Sequence, residues 1–122
     1  MKRNTLEYEQ ALDTMVRILR ARAAAGAEPL TYGRLSAALN LQGHDVPAYR
    51  GPMPYLLEDA SLRESPDGSV PMLSALVVLQ DTRWPSGGFF QLARRAPFSR
   101  PGDDPELWTR ELAHLTEHYS AR

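Results

Sequence analysis

The sequence predicts a mainly helical α+β domain, and three observations carry that prediction. Four segments space their apolar residues as amphipathic helices do, two runs between residues 72 and 95 read as strands, and Gly, Pro and Asn punctuate the joins. The chain has 122 residues, the size of one domain with its own hydrophobic core. A hydrophobic fraction of 43% and a charged fraction of 24% are those of a soluble globular protein.

Residues 4–25 are expected to form the first helix. Tyr8, Leu12, Met15, Val16, Leu19 and Ala23 make one apolar stripe, and Asn4 with Glu7 resembles a capping box. Gly26 suits the left-handed position past the end, and Pro29 prevents resumption. Arg17, Arg20 and Arg22 gather near the C-terminal end, where the helix dipole favours cations. Pro29-Leu30 reads as a short extended segment, followed by a second helix capped by Thr31 with Leu35, Ala38 and Leu39 on its buried face. Asn40 can end that helix, and residues 42–52 are a loop by composition. Gly51-Pro52 opens a third helix, because proline is tolerated in a first turn whose N–H has no helical partner. Met53, Leu56, Leu57 and Ala60 form its apolar face, with Tyr55, Glu58, Asp59 and Arg63 opposite.

Met72 to Leu79 is an apolar run of strand length containing Val77-Val78, and Phe89 to Ala93 reads as a second strand. Gly87-Gly88 permits a tight return between them, which predicts a β-hairpin over residues 72–95. Asp103 with Glu106, or Asp104 alone, caps a C-terminal helix over 104–120 whose stripe is Trp108, Leu112, Leu115 and Tyr119. Helix, short helix, loop, helix, hairpin, helix is the element order of a winged helix-turn-helix, with the motif at 31–63, the hairpin as wing and one domain spanning 1–122. A generic α+β domain with a two-stranded ribbon is the alternative.

The segment "LTYGRLSAAL", Leu30 to Leu39, resembles the helix-turn-helix start in the DNA-binding domain of O6-alkylguanine-DNA alkyltransferases and alkyltransferase-like proteins, which carry a similar Thr-Tyr-Gly-x-Leu-Ala segment. The resemblance covers roughly Thr31 to Phe90. It implies a winged-helix fold and DNA as partner. Those families place Pro-Cys-His-Arg or Pro-Trp-His-Arg after the recognition helix, whereas this chain reads Pro71-Met72-Leu73-Ser74-Ala75-Leu76, so transfer of an alkyl group to a thiolate has no nucleophile. The chain also resembles uncharacterised bacterial winged-helix proteins with a Pro-x-Leu-x-x-Leu-Val-Val strand leading to Gly-Phe, matched here by Pro71, Leu73, Leu76, Val77, Val78 and Gly88-Phe89.

Function is expected to be binding without catalysis. There are no cysteines, which removes disulfides, thiolate metal sites and thiol nucleophiles. Neither a secretory signal nor a membrane span is expected, which makes the cytoplasm the default compartment. Net charge is −1, but it is unevenly placed: Thr82–Gly102 holds Arg83, Arg94, Arg95 and Arg100 with no acid, while Asp103–Glu117 holds five acids against Arg110 alone. In a DNA-bound winged helix the third helix enters the major groove and the wing touches the backbone or minor groove. The candidates for double-stranded DNA are Tyr49 and Arg50 at the start of the third helix, Tyr55 and Arg63 along it, Arg83, Trp84 and Ser86 at the wing tip, and Arg94 beyond. Glu58 and Asp59 oppose that use of the helix, with Arg63 the partner that sequence offers.

His114 and His118, one turn apart with Glu111 and Glu117 nearby, lack a defined third ligand, so no metal is expected. No nucleophile or phosphate-cradling loop accompanies His44-Asp45, and no cofactor or catalytic residue is assigned. The competing class is a protein-interaction module, in which the acidic C-terminal helix of one copy meets the arginine-rich hairpin of another in a homodimer.

Overall fold

Helix α1 (Leu6–Ala24) is the element around which the others gather. The computed structural model describes residues 1–120. The α1 stripe of Tyr8, Leu12, Met15, Val16, Leu19 and Ala23 is buried throughout, and α1 packs against α2 (Tyr32–Leu41), α3 (Met53–Glu64) and α5 (Asp104–Ser120). Burying each Leu or Met of that stripe stabilises the fold by about 1.5–3 kcal/mol relative to exposure. The cap of α1 differs from expectation. Thr5 is the N-cap, accepting from the Tyr8 amide at 3.2 Å, while Asn4 turns the chain in the left-handed region at φ 68°. Gly26 follows the helix at φ 119°, a conformation that favours glycine.

Thr31 caps α2 by accepting from the Arg34 amide at 3.2 Å, as its position predicts. The helix runs three turns, to Leu41, with Asn40 inside it and bonded to the Ser36 carbonyl at 2.7 Å. Met53, Leu56, Leu57 and Ala60 of α3 are all buried. α5 is rotated relative to the expected stripe: Leu107, Glu111, Leu115 and Tyr119 face inward, while Trp108 and Leu112 are half-buried. Glu111 is admitted to the core because Arg100 donates to it at 2.7 Å and the Met72 amide at 2.9 Å. Asp103 caps α5, accepting from the Glu106 amide at 3.0 Å.

The chain is a mainly helical α+β fold, but the β-hairpin expected over 72–95 is not formed. Leu73–Leu76 is a 3-10 turn, and only Val77–Val78 (β2) is strand. β2 pairs with β1 (Leu30–Thr31), and the pairing is parallel, Leu30 with Val77 and Thr31 with Val78. Phe89 to Ala93, read from sequence as the second strand, lies inside helix α4 (Gly87–Arg94). The physical reason is the spacing of its buried residues. Phe89, Leu92 and Ala93 stand at i, i+3 and i+4, one face of a helix, whereas a strand would bury alternate positions. The run is too short for that pattern to be separated from a strand by eye. Met72 to Val78 is buried at every position, so it has no alternation to read either. A single cluster of buried residues draws on every helix and on both short strands.

Candidate nucleic-acid interface

Capping by Thr31 makes Tyr32 the first residue of α2 and sets its ring against the loop that precedes α3. The Tyr32 ring stacks on Tyr49 with centroids 5.4 Å apart, and its hydroxyl donates to Ser86 Oγ at 2.9 Å. Burial pushes the Tyr32 phenol above its ordinary range, against an opposing pull from the Ser86 hydrogen bond. It therefore stays a neutral donor at neutral pH. Beside it lies a pocket of 360 Å³ between α2, α3 and α4. Tyr32, Tyr49 and Phe89 supply its aromatic surface, and Ser74, Ser86 and Gln91 its polar groups. That volume is within the range of small-molecule sites, roughly 300–1,000 Å³. Arg95 and Glu58, both on the lining, are paired at 2.8 Å and join α3 to the chain after α4.

Of the residues singled out from sequence, Tyr49 and Ser86 line this pocket, and Arg50 follows Tyr49 with its side chain exposed. The side chains of Arg50, Arg34 and Arg83 make no hydrogen bond or ion pair among the described residues. Tyr55 is 52% exposed on α3, under the Arg3 guanidinium at 5.1 Å from its ring centre. Arg63 turns instead to α1, where it pairs with Asp13 and with Glu9 at 3.4 Å. Arg94 is bonded to Asp104 and to the Gly102 carbonyl at 2.9 Å, holding the start of α5. Trp84 is 38% exposed and folds back, its ring 5.1 Å from Trp108 and 6.4 Å from Phe90. Loop 79–86 thus lies against α4 and α5, pinned by the Leu79 amide donating to the Trp84 carbonyl at 2.8 Å.

The acidic residues of α3 find partners that sequence spacing did not reveal. Glu58 is paired with Arg95, and Arg3 grips Asp59 through both its Nε, at 3.0 Å, and its NH2, at 2.5 Å. The buried Tyr8 hydroxyl donates to the same carboxylate. Burial alone would raise Asp59, but the hydrogen bonds from Arg3 and Tyr8 outweigh it and hold the carboxyl below its usual range. Burial and the Asp59 hydrogen bond push the Tyr8 phenol well up. Sequence reasoning passed over Tyr32, whose signal was its place directly after the Thr31 cap, and Arg3, whose partner lies 56 residues away.

The Ser74 hydroxyl is shared with Ser61 Oγ at 2.8 Å, a hydroxyl rather than the base that an attacking serine requires. On the far face, Glu111 is committed to Arg100, and among the described residues no group of three or more His, Cys, Asp or Glu is placed to hold a metal ion. Compared with known protein families, curated proteins and solved structures, the chain matches none. Among the described residues no helix is long and apolar enough to cross a membrane.

Proposed function

We propose that this chain is a non-catalytic nucleic-acid-binding protein of the helix-turn-helix type, with double-stranded DNA as its partner. In this reading α2, the loop 42–52 and α3 form the motif, and loop 79–86, folded against α4 and α5, serves in place of a wing. The observation that carries it is the tyrosine-walled pocket, whose lining residue Tyr49 is followed in the loop before α3 by the exposed, unpaired Arg50. Tyr49, 58% exposed, offers a ring face on which a base turned out of the duplex can stack, and Arg50 and Arg83 are cations free to meet phosphate. Pairing of Glu58 with Arg95 and of Asp59 with Arg3 lowers the repulsion that two bare carboxylates on α3 would exert on a phosphate backbone. The likeness of Leu30–Leu39 to the helix-turn-helix of alkyltransferases and alkyltransferase-like proteins supports the same reading.

Arg63 and Arg94 are left out of the surface because their guanidinium groups are held by carboxylates. The same pairings weaken the homodimer alternative, since Arg94, Arg95 and Arg100 meet acids of their own chain. Fluorescence anisotropy of labelled DNA at low salt tests the proposal. Stacking on an aromatic side chain is worth about 1–3 kcal/mol per base, so Tyr49→Ala is expected to weaken binding about fivefold or more. Wild-type protein that leaves the duplex unbound at low salt overturns the reading.

A further inference from the structure

We infer that the polar groove on the other side of the α2 N-terminus is a seat for the phosphodiester backbone of the bound DNA, an inference that rests on the nucleic-acid reading above. The groove has a volume of 510 Å³ and brings together Arg22 of α1, Arg34 of α2 and Arg83 of loop 79–86, with Glu28 its one acidic neighbour. Arg22 is held in place by donating to the carbonyls of Glu28, at 2.6 Å, and Pro29, at 3.3 Å, so its charge is oriented without being neutralised. Arg34 and Arg83 have no carboxylate or other side-chain partner among the described residues. Three arginines from three separate elements against the one Glu28 carboxylate leave the groove net positive, a charge that a bound anion would offset.

A second observation points the same way. Arg83 sits at φ 60°, in the left-handed region that L side chains rarely adopt, and glycine would occupy it without strain. Nothing in the packing requires an arginine there, because the side chain is exposed and unpaired. The turn itself is fixed by the Arg83 amide donating to the Leu79 carbonyl at 3.0 Å and by Trp84 resting on Phe90 and Trp108. Of the four described non-glycine residues in that region, Asn4, Ala27, Arg83 and Ser99, Arg83 alone places a charge there. Continuity supplies the occupant. The groove and the tyrosine pocket share the start of α2 and loop 79–86, Thr31, Gly33 and Arg83 lining one while Tyr32 and Ser86 line the other. A strand whose base lies against Tyr49 carries its phosphates past Arg34 and Arg83.

The test compares wild type, Tyr49→Ala and the double variant Arg34→Ala/Arg83→Ala on one labelled duplex over a salt series. Removing one arginine from its phosphate lowers the slope of log K against log salt by about 0.9, so the double variant should lose nearly two units of slope. Tyr49→Ala should weaken binding with its slope intact. Millimolar inorganic phosphate should not displace the duplex. Arg83→Gly should lose about one unit of slope while its urea midpoint stays at or above that of wild type, separating the role of the side chain from folding. A double variant that binds with wild-type affinity and slope while Tyr49→Ala is impaired overturns the groove and leaves the nucleic-acid reading standing. Phosphate competing at millimolar concentration makes the groove a free-anion site and overturns its assignment to the backbone. No duplex binding by wild type removes both.

Discussion

Replacing Glu111 by alanine tests the account of how loop 65–72 is fastened to α5. The carboxylate is 2% exposed and accepts from Arg100 Nε at 2.7 Å and from the Met72 amide at 2.9 Å. Its removal leaves a buried N–H and a largely buried guanidinium without their acceptor. Breaking a buried ion pair on one side costs about 3–5 kcal/mol. Arg100 keeps its bonds to the carbonyls of Gly68, at 2.7 Å, and Val70, at 3.0 Å, which sets the expected loss near the lower end of that range. Unfolding in urea is readily followed by fluorescence, since Trp108 lies on the same helix and the chain has only two tryptophans. With m about 1–3 kcal/mol per molar urea, a loss of about 3 kcal/mol lowers the midpoint by about 1.5 M. Glu111→Gln, which keeps an acceptor and loses the charge, should fall between alanine and wild type. A midpoint within about 0.3 M of wild type for Glu111→Ala would show that the carboxylate does not fasten the loop.

Three further outcomes follow from the geometry. Gly68 stands at φ 82° with the Pro97 carbonyl where a Cβ would lie, so Gly68→Ala should cost at least about 2 kcal/mol in the same urea assay. Asp59 is held below its ordinary value of 3.8, so its contribution to stability is full above that pH and is lost as pH falls through the lower folded value; Asp59→Asn should flatten the acid limb of the stability profile. The Tyr8 phenol is raised from 10.0, so its contribution is present below pH 10 and is lost as pH rises beyond it, and Tyr8→Phe should reduce the alkaline decline.

Four of the helices, α1, α2, α3 and α5, were legible because each buries one face, whereas α4 was read as a strand. Thr31 as N-cap of α2, Gly51-Pro52 before α3 and the apolar stripe of α1 all stand as the spacing implies. What sequence could not convey was the partner of Val77–Val78. The nearest apolar run, Phe89–Ala93, is the natural match by proximity, although the parallel neighbour Leu30–Thr31 lies far earlier in the chain. Ser86 stands at the N-cap of α4, a start hidden in the sequence because Gly87-Gly88 reads as a turn. The candidate site was half visible. Tyr49, Arg50, Arg83 and Ser86 could be chosen by residue type and position in the element order. That Arg63 and Arg94 are spent on Asp13 and Asp104 depends on long-range packing that no local spacing encodes.

Backbone amide chemical shifts recorded during a titration with a short DNA duplex report where on this chain the nucleic acid lies. The largest changes are expected on Tyr32–Arg34, Tyr49–Gly51 and Arg83–Ser86, around the pocket and its neighbouring groove. Changes confined to His114–His118 on the outer part of α5, or none at low salt, would contradict that placement.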